Sequence, residues 1–189
     1  QIAESAQHIL AQTERINRIV QSLINFSRGD RALQKPVEQV NLYDSATEAI
    51  QLLALGTATP EVECVCNIDN QLMITGDYHQ LIQVFLNLLS NARDASPLGG
   101  QIIINATAEA KQVRVTISDS GTGIEEGISG RLFEPFVTSK DPGQGTGLGL
   151  WVVFNLVQRL GAEVSISSPA ENSHCGTTVT LIFPLSSPP

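Results

Sequence analysis

The chain has 189 residues, 42% of them hydrophobic and 16% charged, with a formal net charge of -8. That length supports one core of about 100–150 residues plus an appendage, and the acidic balance excludes a basic nucleic-acid footprint and disfavours an anionic membrane surface. No run of about 20 apolar residues and no secretory leader is visible, and Cys64, Cys66 and Cys175 read as small buried hydrophobes of a reducing compartment, with no metal-ligand spacing.

Residues 1–28 read as one long helix. Ile2, Ala6, Ile9, Thr13, Ile16, Val20, Leu23 and Ser27 alternate spacings of four and three, which is a heptad seam. Leu10, Ile19, Ile24 and Phe26 broaden the apolar face. A helix about 42 Å long with so wide a face is expected to pack in a bundle across a dimer; lying on its own domain is the competing reading. The chain opens mid-helix at Gln1, as a fragment of something longer would. Gly29-Asp30 ends the helix, and residues 31–36, closed by Pro36, read as a linker.

Val37 to Asn41 is a short candidate strand, and Tyr43 to Leu55 a helix bounded by Gly56 and Pro60. Glu61 to Ile68 alternates as a strand, and Leu72 to Thr75 is another. Asp77 to Ala95 is a helix with no charged residue between Tyr78 and Ala92, so it is expected to be mostly buried. Gln80, Gln83, Asn87, Asn91 and Asp94 form one polar stripe on it at about 100° per residue. A solvated face normally carries Lys and Glu, so amides on an apolar helix suggest a cavity wall. Asn also offers a hard carbonyl oxygen that suits Mg²⁺. Amides bonded to nearby backbone in the core are the alternative.

Gln101 to Thr107 and Val113 to Asp119 read as neighbouring strands joined near Ala110-Lys111. Val113, Val115, Ile117 and Asp119 share a face, so Asp119 points to the core side as its strand ends. A buried carboxylate needs a partner, which a nucleobase amino group would supply; a turn-forming Asp is the alternative. Two glycine turns follow: Asp119-Ser120-Gly121-Thr122-Gly123-Ile124, then Gly143-Gln144-Gly145-Thr146-Gly147-Leu148-Gly149-Leu150. The second runs into an apolar helix, Leu148 to Leu160, where bare backbone N–H groups suit phosphates. Between them, residues 129–147 lack periodicity and read as a lid or loop. In it, Lys140 is either a phosphate ligand or a solvated surface lysine. Ala162 to Ser168 and Thr177 to Leu185 alternate as strands, and residues 186–189 are a tail. The layout is a helical arm followed by an α/β (α+β) two-layer sandwich, a mixed sheet covered on one face by three helices.

Several motifs occur in a known order. Asn87-x-x-x-Asn91, Asp119-x-Gly121-x-Gly123, Phe133-Glu134-Pro135-Phe136, Gly145-x-Gly147-Leu148-Gly149-Leu150 and Gly176-Thr177 resemble the N, G1, F and G2 boxes and final strand of bacterial sensor histidine kinases. These share the Bergerat-type nucleotide-binding fold of gyrase, Hsp90 and MutL. The wording Asn-Leu-Leu-Ser-Asn-Ala-Arg-Asp-Ala and Glu-Pro-Phe-Val-Thr-Ser-Lys looks most like the nitrogen-regulation and dicarboxylate-sensing branch. The resemblance implies ATP and Mg²⁺, with Asn91 on the metal and Asn87 nearby, and Asp119 on the adenine amino group. It implies that Gly121, Gly123, Ile124 and Thr177 shape the adenine pocket and that Gly145, Thr146, Gly147, Leu148, Gly149 and Leu150 offer donors to the phosphates. Phe133, Phe136 and Lys140 would belong to the lid.

The same resemblance divides the chain into residues 1–30, the second helix of a dimerisation and phosphotransfer hairpin, a linker over 31–36, a catalytic ATP-binding domain over 37–185 and a tail over 186–189. It implies a homodimer through the N-terminal helix, a response-regulator partner, a cytoplasmic location and membrane attachment only through regions outside this sequence. Of the three histidines, His8, His79 and His174, none stands in the family's His-Glu/Asp-x-x-x-Pro setting, so none is expected to be phosphorylated. One departure stands out: Asp94 occupies the place three after Asn91 where many of these kinases carry Lys or Arg. A hydrolytic ATPase of the same fold and a bare interaction module are the other readings. Asn87 speaks against the first, because hydrolytic relatives place there a Glu that can activate water. The intact acidic and glycine positions speak against the second.

Overall fold

The computed structural model describes residues 38–55, 62–140, 145–170 and 175–185. The helix expected over residues 1–28, the linker, the tail, His8 and His174 lie outside the described residues. In order, the elements are β1 (Glu38–Asn41), α1 (Leu42–Leu55), β2 (Glu63–Asn67), β3 (Met73–Gly76), α2 (Tyr78–Ala95), β4 (Gln101–Ala108), β5 (Gln112–Asp119), a 3-10 turn (Glu126–Arg131), α3 (Gly149–Arg159), β6 (Glu163–Ser167) and β7 (Thr177–Pro184).

Alternation along the strands sets the sheet. Ile102 and Ile104 of β4, Val113, Val115 and Ile117 of β5, and Leu181 and Phe183 of β7 are buried two residues apart. Cross-strand register puts them in rows: Ile104 opposite Ile117, Val115 opposite Leu181, Val113 opposite Phe183. The order is β2-β4-β5-β7-β6, with β2 and β4 parallel and the other pairs antiparallel. On the opposite face Ser118 and Thr178 share a hydrogen bond at 2.9 Å, and Asn67 Nδ2 donates to Asn105 Oδ1 at 3.0 Å.

The expected mixed sheet is present with five strands, and a second, two-stranded sheet stands apart from it. β1 pairs with β3 as a separate antiparallel ribbon, Glu38 opposite Gly76 through Asn41 opposite Met73. Chain continuity explains it: β1 runs directly into α1 and β3 into the cap of α2, so the ribbon sits where those helices begin. The three helices form the expected layer, with α2 between α1 and α3. No described helix is long and apolar enough to cross a membrane.

α2 positions most of the site. Asp77 caps it, accepting from His79 N at 2.9 Å and Gln80 N at 3.1 Å. Leu81, Val84, Phe85 and Leu89 are wholly buried, so the helix cannot rotate its polar stripe away without exposing its core face. Cys64 and Cys66 lie half-buried on β2, where burial pushes both thiols up, but Cys175 is exposed, contrary to the expected buried hydrophobe.

A side-chain hydrogen bond ties the start of α2 to α1: Tyr78 Oη donates to Glu48 Oε2 at 2.5 Å. That bond, then burial and the Glu48 and Asp44 charges, pushes the Tyr78 phenol up to about 12. In the unfolded chain the phenol titrates near 10. The folded value is the higher one, so the contribution is full below pH ~10 and is lost as pH rises through about 12. Tyr78→Phe is expected to cost about 1 kcal/mol at neutral pH. Urea unfolding from pH 9 to 12 checks this: the alkaline loss of stability in wild type should be smaller in the variant.

Candidate functional site

A cavity of about 510 Å³ opens between α2, the ends of β5 and β7, and the start of α3. Gln83, Asn87, Asn91 and Asp94 form the α2 wall, so four of the five stripe residues meet there; Gln80, one turn earlier, does not. Asp119 and Thr177, paired across β5 and β7, line the opposite side. Gly123 and Ile124 come from the first glycine turn, and Gly145, Thr146, Gly147, Gly149 and Leu150 from the second. Lys140 completes the mouth.

The carboxylate of Asp119 is held by backbone. Its Oδ1 accepts from Gly121 N at 2.9 Å and from Thr177 N at 3.1 Å. No described residue donates to Oδ2. Burial raises the Asp119 pKa above the usual carboxylate value, and the two N–H donors pull it only partly back. The site therefore holds a desolvated acceptor with one oxygen still to satisfy.

Glycines let the backbone close in. A Cβ on Gly121 would lie 2.6 Å from Ala95 O, and one on Gly123, at φ 81°, 2.7 Å from Ser168 Oγ. Ser168 Oγ accepts from Ile124 N at 2.9 Å and donates to Gly176 O at 3.1 Å, which joins the first glycine turn to the last strand. A Cβ on Gly149 would stand 3.6 Å from Asn91 Nδ2 and 4.0 Å from Asn87 Oδ1, so the start of α3 faces both amides. No side chain caps that helix start. Asn87 Nδ2 is buried and has no hydrogen-bond partner, a costly state for an amide that nothing else comes to meet.

Three expected site residues lie behind the cavity wall. Gly121 serves through its N–H on Asp119. Leu148 is buried as the residue before α3, with its own N–H on Thr146 Oγ1 at 3.3 Å. Phe133 packs on Phe154, ring centroids 5.3 Å apart. Phe136 takes φ 67°, which is rare for a side chain of its size, and is exposed, with its N–H on Gly147 O at 2.9 Å.

The sequence reading missed Ile128 and Leu132, from the 3-10 turn and the residue after it, and Val137, Thr138 and Ser139 beyond. That stretch has no sustained period to find. Ile117 and Val179 also line the cavity, and they were findable: each lies two residues from Asp119 or Thr177 on the same face of paired strands.

Residues 76–187 match the family described as histidine kinase-, DNA gyrase B- and HSP90-like ATPase. Sporulation kinase A of Bacillus subtilis is 40% identical over 115 residues, 61% of this chain and 18% of that protein. The two-component sensor PprA of Pseudomonas aeruginosa is 33% identical over 196 residues, 99% of this chain and 20% of that protein. This chain thus spans about a fifth of the length of these relatives. The fold is shared with histidine kinase ThkA, solved in complex with the response regulator protein TrrA: TM-score 0.70 at 22% identity, covering 93% of this chain and 48% of that one. With the glycine turns, the half-buried acid and the amide wall set around one cavity, the chain belongs to the histidine kinase-, DNA gyrase B- and HSP90-like ATPases and carries the ATP-binding catalytic domain of that superfamily.

Proposed function

We propose that the protein transfers the γ-phosphoryl group of ATP to a histidine, from which it passes to an aspartate of a response regulator. The observation that carries this is the cavity itself, which runs from the half-satisfied Asp119 carboxylate to the buried Asn87 amide, Asn91 beside it and the uncapped start of α3.

In this reading Asp119 Oδ2 accepts from the adenine amino group, and Gly121, Gly123, Ile124 and Thr177 shape the adenine pocket around it. The backbone of Gly145 to Leu150, with Thr146 beside it, receives the phosphates at the helix start. Lys140 reaches a phosphate oxygen, and Phe133 and Phe136 hold the wall beside it. Magnesium fits the residues present. The described residues contain no cluster of three or more His, Cys, Asp or Glu able to hold a metal, so the protein donors are amide oxygens, Asn91 first and Asn87 beside it. Bound there with the phosphates, it would neutralise charge that builds up on the transferring group.

The residues otherwise position. The attacking imidazole nitrogen forms a bond to the γ-phosphorus, the bond from that phosphorus to the β,γ-bridging oxygen breaks, and ADP leaves with the electron pair. Asn87 has no basicity with which to activate water, which favours histidine over water as acceptor. We assign residues 1–30 to a second dimerisation helix, 31–36 to a linker, 37–185 to the catalytic domain and 186–189 to a tail. Homodimerisation through the first segment, and a cytoplasmic site of action, belong to the same proposal.

Incubation with γ-labelled ATP and Mg²⁺ tests it. The chain alone should gain no acid-labile label on His8, His79 or His174. A polypeptide carrying a histidine in a His-Glu/Asp-x-x-x-Pro setting, on the matching first helix, should be labelled when the two are mixed. Rapid release of phosphate with no labelled histidine would instead make the protein a hydrolase.

A further inference from the structure

The amide stripe of α2 ends in an acid. Asp94 lies three residues beyond Asn91, on the same helix face, and lines the cavity. Its Oδ2 accepts from Lys140 Nζ at 2.6 Å. Its Oδ1 lies 3.6 Å from Arg93 Nη2. Arg93 reaches back toward the end of α1, where Nη1 is 3.5 Å from Leu53 O. The carboxylate is thus held from the α1 side by an arginine and holds a lysine on the cavity side.

The charges of the cavity give this contact its consequence. Its described lining carries Asp94, Asp119 and a single ammonium, Lys140. That ammonium is already neutralised by Asp94, and the whole chain is acidic at -8. A triphosphate without a metal meets a wall that is net negative, and it has to take Lys140 from Asp94 to gain a cation. Once Lys140 has moved to phosphate, the Asp94 carboxylate keeps only the more distant Arg93 guanidinium, at 3.6 Å, and stands one helical turn from Asn91. There it repels phosphate oxygens and favours a divalent cation.

We propose that Asp94 is a positioning and specificity-determining residue: it holds Lys140 at the cavity mouth until nucleotide arrives, and it makes the site select ATP carrying magnesium over metal-free ATP. This rests on the nucleotide reading of the cavity. Asp94 touches no reacting atom; it acts through Lys140 and through the charge it leaves behind.

Calorimetric titration with ATP in excess Mg²⁺ and in EDTA tests it, on wild type, Asp94→Asn, Lys140→Gln and the double variant. Asp94→Ser serves as a second carboxylate-free variant. Both side chains are about one-third exposed, so the fold should persist, and thermal unfolding checks that it does. Asp94→Asn should tighten metal-free ATP by about tenfold and change Mg²⁺-loaded ATP by less, cutting the ratio of the two affinities at least about fivefold. In the Lys140→Gln background the same substitution should have a clearly different effect, because the contact is already gone. A ratio within about twofold of wild type in both Asp94 variants overturns the selectivity. Additive effects of the two substitutions overturn the holding of Lys140. Wild type that binds ATP in neither condition removes the nucleotide reading itself, and this proposal with it.

Discussion

Asp119→Asn weakens ATP binding by about 10- to 100-fold, the loss expected when a hydrogen bond to a charged acceptor is replaced by opposed donors. Oδ1 is already taken by Gly121 N and Thr177 N, and an asparagine oxygen can still accept from both N–H groups. The new NH₂ group then stands where Oδ2 was, facing the adenine amino group donor to donor. Guanine presents an acceptor at that position, so the preference for ATP over GTP should shrink along with the affinity. Stability should move the other way. Burial raises the Asp119 pKa, which means that the fold disfavours its ionised form. The sign follows: its contribution is greatest below the ordinary carboxylate pKa and is lost as pH rises through the raised one. A neutral isostere removes that penalty, so Tm should be unchanged or higher at neutral pH. Titrations with ATP and GTP, beside a thermal scan, read all of this at once. Unaltered ATP affinity, or a Tm fall of several degrees, would place Asp119 in the framework instead of the base pocket.

That opposition between binding and stability explains which parts of the molecule were legible in sequence. Period-two burial in β4, β5 and β7 and the apolar sides of α2 serve the core alone, so their patterns are clean and the structure repeats them. Asp119 and Asn87 break such patterns, a carboxylate at the end of an apolar row and an amide on an apolar helix, and the break itself was the signal. The second sheet was invisible because β1 and β3, at four residues each, are too short for alternation to say which partner they take. Ile128 and Leu132 were invisible for another reason: a 3-10 turn has a different period from helix or strand, and six residues are too few to show it. The Lys140–Asp94 contact joins residues 46 apart, and no local pattern encodes it.

Gly147→Ala should abolish tight ATP binding through backbone geometry, with no charge or hydrogen-bonding group changed. Gly147 has φ 66°, and a Cβ built on it falls 2.6 Å from Phe136 Cα and 2.8 Å from Val137 N. Both are backbone atoms and cannot swing aside. Phe136 itself sits at φ 67° and donates its N–H to Gly147 O at 2.9 Å, so the two residues form a tight pair in which neither can give without the other. Relief has to come from moving residues 136–138 outward, and Val137 and Thr138 are cavity wall. Gly161→Ala separates this from strain alone. Gly161 also has φ 66°, as the stop of α3, but a Cβ there meets nothing within 4 Å. It should cost about 1–2 kcal/mol, the left-handed penalty of an ordinary residue, with ATP affinity intact. Gly147→Ala should lose more stability than that and at least about tenfold in ATP affinity. Denaturant unfolding and nucleotide titration on the two variants decide it. Identical behaviour of the pair would mean that the Phe136 backbone yields freely and that the second glycine turn owes its glycine at 147 to φ alone.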